Sequence, residues 1–173
     1  MREIGITFLV LLAAFASFIL FLRDESSIAQ DASFTVREAV VVDVVDGDTY
    51  KVVFKDELDS TVLIKAYLID APESGQCFSA ESKQYAEDTL FGQNVYVAHR
   101  KQRWSGYVEQ PLLAFVFLDR ELRHLWQAEA IEDGYATALI QQPQEDRYKN
   151  VIIRLERNAQ LSNAGLWGVC PTQ

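Results

Sequence analysis

At 173 residues the chain is long enough for one globular domain with an appendage and short for two domains with separate cores. Its formal charge of −9 repels polyphosphates at long range, which counts against a general nucleic-acid binder, and without residues 1–23 the remainder is more acidic still. The two cysteines form no CxxC pair and have no histidine beside them in sequence, which argues against a cysteine metal site or a redox motif.

Residues 4–22, IGITFLVLLAAFASFILFL, carry no charged side chain. At about 1.5 Å per residue they span roughly 28 Å, close to the hydrocarbon thickness of a bilayer. The stretch therefore reads as an uncleaved membrane anchor over residues 1–23. The rival is a cleaved signal peptide ending near Ser27-Ile28-Ala29, against which stands an apolar core longer than such peptides use. Arg2 and Arg23 flank the span and hardly bias its orientation. A single N-terminal anchor followed by Asp, Ser and Gln places the N-terminus inside and the domain on the periplasmic or extracellular side. Residues 24–35 are polar and aperiodic, a linker.

The domain is expected over residues 36–173. Val36 to Val45 and Thr49 to Phe54 are β-branched runs separated by Asp46-Gly47-Asp48, a hairpin signal. Lys55 to Ser60 reads as a second turn and Thr61 to Ile69 as a third strand. Ser79 to Phe91 has helical spacing, with Ser79 as N-cap and Gly92 beyond its end. Val95 to Ala98 and Leu112 to Leu118 are two further strands. Leu122 to Asp133 and Arg147 to Ala164 are helices, each closed by a glycine, Gly134 and Gly165. The order β-β-β-α-β-β-α-α predicts an α+β domain built on a five-stranded Greek-key barrel of the oligonucleotide/oligosaccharide-binding (OB) kind.

Asp43, Asp46, Asp48, Asp70 and Glu73 stand at the ends of the apolar runs, five carboxylates within 31 residues, and pairing of the first strands would bring Asp46, Asp48, Asp70 and Glu73 towards one rim. Converging carboxylates repel unless a cation or an arginine stands between them. Without histidine or cysteine, such a set selects Ca²⁺, Mg²⁺ or Mn²⁺ over zinc. Asp-Gly-Asp alone is weak evidence for a metal, because a hairpin turn needs the same residues for backbone reasons. The combination of Asp-Gly-Asp-Thr, a strand ending Leu-Ile-Asp, and then Ala-Pro-Glu is harder to reach by turn chemistry.

With VVDGDTYKV, LIDAPE and a last helix holding Ala159-Gln160 before Gly165-Leu166-Trp167, the chain resembles the staphylococcal nuclease (thermonuclease) family over about residues 36–168. The resemblance implies that Asp48, Asp70 and the Ala71 carbonyl ligate Ca²⁺, with Asp46 in support. It implies that Glu73 is the general base activating a water against a phosphodiester. The family's first phosphate-holding arginine falls on Lys65, which keeps the charge and loses the planar fork. Its second, from a Tyr-Gly-Arg segment before a strand beginning Leu-Ala, falls on Pro111 of Glu109-Gln110-Pro111. Aligned instead on Arg103-Trp104-Ser105-Gly106, the same slot holds a glycine. Arg100, Lys101 and Arg103 form the one candidate phosphate patch, for which a solvated loop is the plainer reading.

These residues predict a membrane-anchored nuclease-fold domain with weak or absent catalysis, acting as an accessory or binding subunit of a membrane assembly. The alternative is an active Ca²⁺-dependent phosphodiesterase cleaving DNA or RNA outside the cytoplasm, and a third reading is a purely structural subunit. Partners are the bilayer through residues 4–22, a membrane-protein complex, and nucleic acid only under the alternative. His99 and His124 are isolated, and Trp126 and Trp167 read as packing residues. In an exported domain Cys77 and Cys170 can pair as a disulfide, while two unrelated buried thiols fit the sequence equally well.

Overall fold

The computed structural model describes residues 34–101, 111–140 and 148–170. The expected anchor and most of the linker, with Arg103 and Trp104, lie outside the described residues. Five strands carry the fold: β1 (Phe34–Val44), β2 (Thr49–Phe54), β3 (Glu57–Ala66), β5 (Asn94–Arg100) and β6 (Leu112–Phe117). They pair in the order β1-β2-β3-β6-β5, and β5 returns to pair antiparallel with β1, so the sheet closes on itself. All pairs are antiparallel except β3 with β6, which is parallel. This mixed five-stranded sheet with its helices is an α+β fold that fits the OB-like expectation.

Alternation drives the closure. Ala39, Val41, Tyr50, Val52, Phe54, Ile64, Val95 and Val97 are buried at period two, while Lys51 and Asp43 between them are exposed. β6 breaks the alternation, because Ala114, Phe115, Val116 and Phe117 are all buried. Tyr148 packs on Phe115 and Phe117, and helix α2 (Trp126–Glu132) lies against the same strand, so its side chains are shielded from water on both faces.

Several boundaries differ from expectation, each for a local reason. β1 begins at Phe34, two residues before Val36, because Phe34 and Thr35 pair with Arg100 and His99. The second hairpin turns at Lys55-Asp56, and the Glu57 to Ser60 segment counted as turn belongs to β3. The third strand stops at Ala66 instead of continuing to Ile69: Leu68 adopts φ 70°, and Ile69–Asp70 form a separate strand, β4. β4 pairs with β7 (Thr137–Ala138), which follows α2 in the chain.

The helices are shorter than their patterns. Helix α1 (Ser79–Leu90) starts from Phe78 at φ 69°, with Ser79 already inside the helix and no side-chain cap. α2 starts at Trp126, because Leu122 has φ 57° and the Asp119 carboxylate holds the Arg123 and His124 N–H groups in a turn. Helix α3 (Lys149–Ser162) ends on Asn163, at φ 54°, and Gly165 instead opens the short helix α4 (Leu166–Val169). Gly165 is required there by proximity. A Cβ on it would stand 2.3 Å from the Gly134 carbonyl oxygen, and one on Gly134 would stand 2.3 Å from that of Ala164.

Candidate functional site

The site is assembled from the β1–β2 turn, the end of β3 and the β4 segment. In the turn, Val45 and Asp46 N–H both donate to the Thr49 carbonyl, at 2.9 and 3.1 Å. The Asp46 carboxylate accepts the Asp48 N–H at 3.0 Å. Gly47 is needed for contact and not for a left-handed backbone, since a Cβ there would lie 2.0 Å from Ser82 Oγ and 2.8 Å from Ala71 Cβ. Helix α1 and the segment after β4 thus close on the turn and press Asp48 inward, leaving it 1% exposed.

Asp48 is fully provided with donors. One oxygen accepts the Thr49 hydroxyl at 2.7 Å and Lys65 Nζ at 3.0 Å. The other accepts Lys65 Nζ at 2.9 Å and the Ala71 N–H at 3.0 Å. Register explains the meeting: Thr49 on β2 pairs with Lys65 on β3, so the side chain next to Thr49 in sequence is within reach of the lysine. The same ammonium reaches Asp70 Oδ1 at 3.4 Å. Burial alone would lower the Lys65 pKa, but the hydrogen bonds and charge of Asp48, with Asp70 behind them, raise it. The Asp46 carboxyl is pushed above the usual range by burial, with the charge of Asp48 adding to the rise.

Asp70 is placed by a contact that its neighbours in sequence do not reveal. β4 pairs Asp70 with Thr137, whose hydroxyl donates to the Asp70 carbonyl at 3.2 Å, and the Leu139 N–H donates to the Leu68 carbonyl at 2.9 Å. Glu73 does not join the cluster. It lies in an exposed turn, where its N–H donates to Gln76 Oε1 at 2.8 Å. Among the described residues no group of three or more acidic, histidine or cysteine side chains is arranged around a common metal position. Of the four expected carboxylates, Asp48 and Asp70 share the Lys65 ammonium, and Asp46 stands beside Asp48 in the turn.

These residues do not fit Ca²⁺ as arranged. A calcium ion takes six to eight oxygens at about 2.3–2.6 Å. Here both oxygens of Asp48 already face an ammonium and a second donor, and a divalent ion beside that ammonium would be repelled. Ala71 contributes its N–H to Asp48.

The second cation position is also changed. Pro111 stands just before β6 and brings no charge. Arg100 ends β5 with its guanidinium 5.3 Å from the Phe34 ring centre, and Lys101 follows it. His99 pairs with Ala114 and Ala114 with Ala66, so the Arg100 end of β5 and Lys65 flank the same end of β6. Beside Lys65 a hollow of about 350 Å³ is lined by Tyr67, Leu68, Asp70, Leu113 and Leu139. Cys77 and Cys170 are joined, tying the turn that carries Glu73 to the end of α4.

A family model described as staphylococcal nuclease homologue matches residues 63–169, more than half of the chain. The chain belongs to the staphylococcal nuclease family. An uncharacterized endonuclease of Haemophilus influenzae is 30% identical over 128 residues, covering 73% of this chain and 64% of that protein. A micrococcal nuclease of Shigella flexneri is 37% identical over 76 residues, 42% of each chain. The chain thus spans less than two thirds of the length of these relatives. Within the family fold, the lysine's hold on both aspartates was missed in sequence because strand register, and not spacing along the chain, creates it. The Ala71 N–H, 23 residues from Asp48, was likewise missed as its donor, whereas the Thr49 hydroxyl belongs to the next residue in the chain.

Proposed function

We propose that this chain is a membrane-tethered nuclease-family domain whose phosphodiester hydrolysis is weak or absent, serving as an accessory or binding subunit of a membrane assembly. The observation that carries this is the direction of Lys65. It stands where the family resemblance puts the first phosphate-holding arginine, and its ammonium is turned inward onto Asp48 and Asp70. Pro111 stands at the second position without a cation. Charge-stabilising arginines in phosphoryl transfer are worth roughly 10³–10⁵ in rate, or about 4–7 kcal/mol, so losing both clamps leaves little of the acceleration. Residues 4–22 support the tether by their length and lack of charge. The disulfide supports a domain outside the cytoplasm, since such bonds persist in oxidising compartments.

The test is hydrolysis of single-stranded DNA and RNA by the full chain in detergent, with and without Ca²⁺. Expected turnover is far below the 1–10³ s⁻¹ of ordinary enzymes, and Lys65→Arg alone recovers little. Turnover within that range by the wild-type protein would overturn the reading. Extraction of the native membrane at alkaline pH should leave the protein in the pellet; release into the supernatant would remove the tether.

A second reading, an active phosphodiesterase, is favoured by the names of the two relatives and by the strand register that brings the Arg100 end of β5 beside Lys65 across β6. Arg100→Ala abolishing a measurable turnover is its signature.

A further inference from the structure

We infer that Lys65 has taken over the work of a divalent cation, so that this rim is neutralised from within the chain and binds no calcium until the lysine is removed. The inference rests on reading the Asp48/Asp70 rim as the one that the nuclease resemblance assigns to a metal, but not on whether the protein hydrolyses anything. The geometry is that of a cation site already filled. One ammonium lies 2.9 and 3.0 Å from the two oxygens of a carboxylate that is 1% exposed, and 3.4 Å from a second carboxylate delivered by another sheet.

Lysine suits this use. Its charge is compact and it has three donors; two of the directions are taken by Asp48 and the third by Asp70. The remaining acceptor capacity of Asp48 is used by the Thr49 hydroxyl and the Ala71 N–H, which fix the carboxylate's orientation independently of any ion. Removing the ammonium therefore leaves an oriented, buried carboxylate beside a second one. Those are the elements of a hard-cation site, with oxygen donors only.

The experiment measures thermal melting and calorimetric heat for the full chain in detergent, titrated with CaCl₂ against MgCl₂ and NaCl controls of equal ionic strength. The wild type is expected to shift by less than about 1 °C and to show no saturable heat. Lys65→Met is expected to melt lower in EDTA and to regain roughly 3–6 °C at tenfold excess of Ca²⁺ over its Kd. Adding Asp48→Asn to Lys65→Met should remove that gain. A saturable wild-type response to Ca²⁺ that Asp48→Asn abolishes would overturn the inference, and so would a folded Lys65→Met indifferent to Ca²⁺. Should Lys65→Met not fold, the wild type and Asp48→Asn alone decide: equal destabilisation by Asp48→Asn with and without Ca²⁺ upholds the lysine as the cation, and a Ca²⁺-dependent difference refutes it. Nuclease turnover in EDTA, measured on the same samples, would sink the weak-hydrolysis reading while leaving this one standing.

Discussion

Two tyrosines show what burial does to single side chains here. Tyr50 is fully buried inside the barrel, its ring edge-on to Trp126 at 5.9 Å, and its hydroxyl has no hydrogen-bond partner among the described residues. An unpaired buried hydroxyl costs about 1–3 kcal/mol, so Tyr50→Phe is expected to raise stability by ~1 kcal/mol in denaturant melts. A lower midpoint would mean that the hydroxyl has a partner after all. Tyr85 stacks on Tyr135 at 4.1 Å, and its phenol is raised above the ordinary value by burial first and then by the charges of Asp133 and Glu129. The fold thus favours the protonated phenol. Its contribution is full below the unfolded value of about 10 and is lost as pH rises through the higher folded value. Tyr85→Phe keeps the stack and removes the proton, so its melting temperature should fall less steeply than the wild type's above about pH 10. Parallel slopes would assign the alkaline loss to other groups.

At the scale of elements, the barrel has a gap that a helix fills. β3 pairs with β6 only from Leu112 to Ala114, so β6 beyond that point faces no strand on that side. Gln127 of α2, fully buried, takes the place of one. Its Oε1 accepts the Val116 N–H at 3.1 Å and its Nε2 donates to the Ala114 carbonyl at 2.9 Å. Replacing it by Leu keeps the volume and strands the Val116 N–H in an apolar layer, while the Ala114 carbonyl keeps the Tyr67 N–H at 2.9 Å. The expected loss is about 1–3 kcal/mol, read as a shift in urea midpoint at constant m. Gln127→Glu should keep the bond from Val116 and lose the one to Ala114. α2 is bound to α3 and α4 by the glycine contact described above, reinforced by the Leu166 N–H donating to the Gly134 carbonyl at 2.9 Å. Two glycines that look alike in sequence therefore stand differently, Gly134 after one helix and Gly165 before another, while both let one backbone lie on the other.

For the whole molecule the longest-range constraint is covalent. The Cys77–Cys170 bond joins residues 93 apart, and in the chain-entropy model a loop of that length stabilises by about 4–5 kcal/mol. Cys77→Ser with Cys170→Ser should therefore lose about 2–5 kcal/mol, and reducing the wild type should lower its denaturant midpoint to the same value. An unchanged midpoint would show that the C-terminal helix is held by packing alone. The bond also ties down the segment that carries Glu73. The turn from Ala71 to Phe78 is anchored at Cys77, and Glu73 is left exposed within it, outside the Asp48–Lys65–Asp70 group.

What the amino-acid sequence determined by itself is what depends on short-range periodicity and composition. The period-two runs specified the strands and their inward faces, so a mixed domain with a five-stranded sheet was legible from residues 36–118. The motifs around Asp46, Asp48, Asp70 and Glu73 were enough to place the chain in its family. Helix ends were less legible, because Phe78 and Leu122 adopt a left-handed backbone that their side chains disfavour, and Asn163, which tolerates it, ends its helix before Gly165 is reached. The site was legible as a list of residues and not as an arrangement. Whether four carboxylates meet around an ion or two meet around an ammonium depends on which residues strand register sets opposite one another. Thr49 against Lys65 and Asp70 against Thr137 are pairings between residues far apart in the chain. Only the folded chain could decide them, since electrostatic energy follows distance through space and is blind to distance along the sequence.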